Sequence, residues 1–234
     1  MDSLRKTSLV AGVFYVLTFV SIPTIGLYAP VRDADFIVGT TSETPVVVGA
    51  ILETIVALAC IGTAIALYPV LKRQGEGRAL GFVGARVLEA AGIFIGVASL
   101  LTIVALRRAE AGPEALVTGQ MLVAFYDSVF LLSQSFLPAV NALLLGTLLY
   151  QARLVPRILP LLGLAGAPLL VASDIGILFD LWDRLSPVTA VAALPIAIWE
   201  LSLGVYLIVK GFRPSPLTAS MTTEGARQVQ DAAV

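Results

Sequence analysis

Histidine is absent from the 234 residues, and cysteine occurs once, at Cys60 within an apolar run. These two shortages exclude an intrachain disulfide, zinc sites built from Cys and His, His-ligated haem, and nucleophiles activated by an imidazole. Lysine is scarce too. Lys6, Lys72 and Lys210 all stand at the edges of apolar runs, so no lysine is placed mid-membrane to form a Schiff base. Charged residues make up 13% of the chain, where a soluble domain carries about 25%. A net charge of −1 leaves no electrostatic footprint for nucleic acid. No cofactor and no metal site are expected.

What the chain has instead is apolar length. Hydrophobic residues account for 58% of it, and the mean hydropathy is +0.93. Six apolar segments stand out, at about 7–28, 46–71, 79–106, 121–150, 157–181 and 188–210. About 20 residues of helix cross a hydrocarbon core, so each is long enough to span. The expected fold is all-α, a polytopic membrane bundle of six transmembrane helices over residues 1–213. The first segment follows "LRKTS" and lacks an A-x-A cleavage pattern, which keeps it a helix and not a signal peptide. The fourth is too long: residues 113–150 as one helix would run about 57 Å. Either its first turns stand outside the membrane or Pro138 kinks it. Residues 214–234 are polar and small, and read as a disordered cytoplasmic tail.

The basic residues set an orientation. With the N-terminus inside, the cytoplasmic set is Arg5, Lys6, Lys72, Arg73, Arg78, Arg153, Arg157, Lys210, Arg213 and Arg227. Arg32, Arg107, Arg108 and Arg184 fall on the other side, and Arg86 lies within the membrane. Ten against four is a positive-inside bias, so both termini are expected in the cytoplasm. Similar helix starts, "SLVAG", "LGFVGA" and "LGLAGA", hint at three related helical hairpins.

The stretches "NALLLGTLLYQARLVPRILPLLGLAGAP" and "LPIAIWELSLGVYLIVKGF", with the "LVAGVFYVL" start, resemble a family of six-helix bacterial membrane proteins. That family is named domain of unknown function 4386, and the resemblance covers roughly residues 5–213. It implies six helices and a multi-pass protein of the bacterial plasma membrane. It carries over no activity and no site residue.

Ionised side chains in hydrocarbon cost about 2.5–3.5 kcal/mol each on insertion scales, so each needs a partner, a cavity or a task. Depths counted along the segments place them in two layers. The inner layer holds Arg86 and Glu89 on the third segment, Glu200 on the sixth and Asn141 on the fourth. One arginine facing two carboxylates is what desolvation demands, and it leaves one carboxylate over. The outer layer holds Glu53, Asp127 and Asp174 with no intramembrane cation near them, which points to a wet vestibule or a bound cation. A structural reading answers each case: an ion pair fixing the third segment to the sixth, Asp127 at the interface, and Asp174 capping a bend after Pro168.

Among the other marked residues, Gly92 and Gly96 read as a close helix contact within the chain. Trp182 fits an interface belt, Trp199 lies deep beside Glu200, and Cys60 is a packing residue. An intramembrane aspartyl protease needs a Gly-x-Gly-Asp stretch, and Ala172 and Ser173 precede Asp174 instead. Two readings lead. One is a small-ligand or ion binding or transport protein with a polar intramembrane pocket. The other is a membrane accessory subunit whose buried charges are structural or meet a partner helix. A membrane enzyme is the third, with acid–base carboxylates as its only chemistry. The expected contacts are membrane lipid, a small molecule or ion, and a partner membrane protein.

Overall fold

The computed structural model describes residues 3–219, and the remainder of the expected tail, with Arg227, lies outside the described residues. Six helices are long and apolar enough to cross a membrane: α1 (Ser3–Leu27), α2 (Thr44–Leu71), α3 (Glu76–Arg108), α4 (Pro113–Ala152), α5 (Ile158–Leu178) and α6 (Pro187–Val209). No strand forms among the described residues. The protein is an all-helical membrane bundle of six spans, as expected.

Each helix packs on the next in sequence, and α6 closes on α1, so the spans form a ring in chain order. The closing contact depends on two glycines. A Cβ on Gly12 would fall 2.7 Å from the Gly204 carbonyl oxygen, so α1 and α6 touch backbone to backbone. Arg5 seals the same end by donating to the carbonyls of Leu207 at 3.0 Å and Ile208 at 2.5 Å, which the end of α6 leaves without helical donors. Gly12→Leu is expected to cost about 1–3 kcal/mol by overpacking this seam. Thermal unfolding in micelles checks it, and an unchanged midpoint would show that the seam can yield.

Two spans depart from a simple helix, and each departure has a local cause. In α4 the stretch Leu131–Phe136 widens into a π-helix immediately before Pro138. A proline ring clashes with the carbonyl four residues back, and the wider turn makes room for it. Pro138 therefore does perturb the long fourth span, and the helical run also starts early, with a short turn at Pro113–Ala115. In α1 the α-helix ends at Leu17, earlier than the continuous 7–28 segment expected, and tightens to 3-10 geometry over Thr18–Ser21. Thr18, Ser21 and Thr24 each turn their hydroxyl back to a carbonyl three residues earlier, at 2.7, 3.3 and 2.6 Å. Such back-bonding bends helices, and Pro23 removes a further donor. Beyond the bend α1 packs mainly on α2.

Gly92 and Gly96 lie against α4, as expected of a contact within the chain. A Cβ at Gly92 would sit 2.3 Å from that of Ser133, and one at Gly96 would sit 3.2 Å from the Tyr126 ring. Trp199 is fully buried against Gly163 of α5. Past α6, Arg213 donates its amide to the Leu154 carbonyl at 2.8 Å, and Thr218 is buried.

Candidate functional site

Arg86 projects from the first half of α3 into the centre of the ring, where 1% of it is exposed. A guanidinium there needs partners on several sides, and five helices supply them. Its Nη1 donates to both oxygens of Glu89, at 3.2 and 3.0 Å, one helical turn along α3. Its Nη2 reaches Glu200 of α6 at 3.2 Å. The sulfur of Cys60 on α2 stands 3.6 Å from Nη1. The Tyr15 ring of α1 lies 4.9 Å from the guanidinium carbon, a cation–π arrangement that suits a desolvated arginine. From α4, the Asn141 amide donates to Glu89 at 2.7 Å. The four residues expected in the inner layer thus converge within one chain.

The two carboxylates are not equivalent. Glu89 accepts on both oxygens and holds Asn141 as well as Arg86. Glu200 accepts one bond, on one oxygen, and its side chain is the more exposed of the two, 12% against 7%. The cluster carries one positive and two negative formal charges, and Glu200 is the carboxylate left over.

The outer layer is arranged differently from the expected vestibule of unanswered carboxylates. Asp127 on α4 is clasped by two arginines from loops: Arg32 at 2.7 Å, after α1, and Arg184 at 3.0 Å, before α6. The Arg32 bond is bidentate, and the hydrogen bonds it donates to Asp127 raise the pKa of that guanidinium. Arg184 also lies 4.2 Å over the Phe130 ring. Counting cations only within the spans missed both, because the loops fold back over the bundle. Glu53 is fully buried and accepts from the Tyr126 hydroxyl at 2.8 Å. Asp174 accepts from Ser135 at 2.5 Å, on the π-helical turn of α4. Glu53, Asp127 and Asp174 therefore form three separate contacts and no common cluster.

Between the two layers lies a cavity of about 570 Å³. Its floor is Arg86, Glu89 and Glu200, and Arg32 and Arg184 stand at its other end. The walls are mainly apolar, with Phe19 and Ile25 from α1, Ile93 from α3, Phe130 from α4 and Ala193 from α6 among them. Fourteen residues of α6 separate Ser186 from Glu200, a depth of about 21 Å. The cavity exists because α1 bends away from α6 after Leu17. Ile22, Ile25 and Leu185, all in its lining, are 60–68% exposed, so the cavity opens sideways between α1 and the start of α6.

The profile of the family described as "Domain of unknown function (DUF4386)" matches residues 10–211. The chain belongs to that family. Comparison with curated proteins and with solved structures finds no match. In this DUF4386 chain the matched region contains Arg86, Glu89, Asn141, Glu200 and the full cavity lining.

Sequence reasoning missed Tyr15, Tyr126 and Ser135, all of them contacts of buried charges. A tyrosine or serine within an apolar segment carries no signal by itself. The useful signal was the spacing of Tyr126 and Asp127, adjacent in sequence and therefore turned to different partners, Glu53 and the two arginines.

Proposed function

We propose that this protein binds a small molecule in the intramembrane cavity and passes it to or from the membrane, with its termini on the cytoplasmic side of a plasma membrane. One observation carries the reading: the buried charge cluster forms the floor of a cavity of about 570 Å³. That size falls within the roughly 300–1,000 Å³ of ligand sites, and apolar walls with a few convergent polar groups are their usual composition. A purely structural ion pair gains nothing from facing open space. The alternative, an accessory subunit, draws support from charges that need a partner helix. Here Arg86, Glu89 and Glu200 answer one another inside the chain.

The test is to fill the cavity without touching the floor. Ala193 lines it from α6 and is partly buried. Wild type purified in native lipid is expected to carry a bound small molecule visible by native mass spectrometry. Ala193→Trp is expected to lose it while keeping its helical content and unfolding midpoint. Equal occupancy in both proteins, or no bound species and no saturable ligand for wild type, would count against the reading.

A further inference from the structure

The cavity's open side and its unequal floor define a ligand class. Access lies between α1 and α6, beside side chains that face the hydrocarbon, so the ligand arrives as a lipophilic molecule from within the membrane. Most hydroxyls on the walls are already engaged, the buried Tyr28 hydroxyl excepted. Thr18, Ser21 and Thr24 bond back to their own helix, and Ser186 and Thr189 bond each other. Among the described charged groups of the lining, Glu89 is filled on both oxygens and Arg32 and Arg184 are held by Asp127 behind it. Glu200 accepts on one oxygen only and lines the cavity, whereas Glu53 and Asp174, which also keep one oxygen unpartnered, lie behind Tyr126 and Ser135 of the wall. The floor therefore lacks one positive charge, and a monocation seated at Glu200 would complete it.

The loops at the Arg32 and Arg184 end of the bundle favour the same sign. All four arginines at that end are engaged, Arg32 and Arg184 by Asp127 and Arg107 and Arg108 by Glu43. Asp33, Asp35, Glu110, Glu114, Asp180 and Asp183 form no ion pair among the described residues. Such a surplus of negative charge raises the local concentration of cations. We propose that the cavity takes a lipophilic monocation, an ammonium group on a single apolar body, with the ammonium at Glu200 and the body along the walls toward Phe19 and Phe130. This proposal rests on the binding reading above.

The experiment uses full-length protein in nanodiscs of zwitterionic lipid and three probes of equal chain length: a dansyl-labelled alkylamine, its alcohol and its carboxylate. Binding is read from dansyl emission excited directly, which does not depend on the tryptophans or on the one that Ala193→Trp adds. The amine is expected to bind saturably and about tenfold or more tighter than the alcohol, the gain of a hydrogen bond to a charged group. Glu200→Gln should erase that preference and leave alcohol binding unchanged, while Ala193→Trp should abolish both. Equal affinity of amine and alcohol, or an amine preference that survives Glu200→Gln, overturns the ligand class while alcohol binding upholds the cavity reading. A preference for the carboxylate assigns the head group to Arg32 and Arg184 and also overturns the class. Displacement of the amine by sodium or potassium at physiological concentration assigns the site to an inorganic ion and overturns the amphiphile. No saturable binding of any probe overturns both readings.

Discussion

Arg86→Met is expected to destabilise the protein by about 3–5 kcal/mol, the typical cost of removing one partner from a buried ion pair. The loss does not come from the arginine's own bonds. It comes from Glu89 and Glu200, which stay behind in the ring centre with no counter-charge. The control separates these causes. Arg86→Met combined with Glu89→Gln and Glu200→Gln leaves no charge stranded, and is expected to regain more than half of the loss. Unfolding in mixed micelles, followed by helical content, measures both variants. If the single variant loses less than about 1 kcal/mol, the floor is hydrated well enough to hold its carboxylates alone, and the cluster does not organise the ring.

The size of that effect follows from the topology. A ring in chain order gives each helix two neighbours and leaves the centre to be filled by side chains. Below the cavity, toward the termini, it is filled by apolar groups such as Leu67, Phe82, Leu145 and Leu203. At the level of Arg86 one guanidinium touches α1, α2 and α6 and, through Glu89, α4. Polar contacts between membrane helices are individually modest, about 0.6 kcal/mol on average in measured cases. Several meeting on one buried charge are coupled, so removing the hub removes them together.

The six spans were legible in the sequence because hydrocarbon thickness imposes a length that composition reveals directly. The convergence of Arg86, Glu89, Glu200 and Asn141 was legible for a related reason. Depth along a spanning helix is counted in residues, and a buried arginine at one depth implies carboxylates at the same depth. The partners of the outer carboxylates were not legible because depth fixes only one coordinate. Rotation about the helix axis sends Glu53 toward Tyr126 and Asp174 toward Ser135, while Asp127 takes its cations from loops outside any span. The cavity was not legible at all. It arises from the bend after Leu17, where three hydroxyl residues and Pro23 change the path of α1, and no hydropathy pattern records such a change.

Glu89→Ala and Glu200→Ala, though they remove the same charge from the same arginine, are expected to differ by about 2–4 kcal/mol in stability. Glu89→Ala strips Arg86 of two bonds and leaves the Asn141 amide, which is fully buried, without its acceptor. Glu200→Ala removes a single bond and leaves Arg86 still paired with Glu89 in a neutral couple. The first variant should therefore unfold well below wild type in the same micelle assay, and the second close to it. Equal losses would mean that the two carboxylates share the arginine evenly, leaving no surplus at Glu200 for a ligand to meet. The predicted asymmetry also explains how one cluster can serve both stability and binding. Glu89 holds the helices together and has no free oxygen to offer, whereas Glu200 contributes little to the fold and faces the cavity with one.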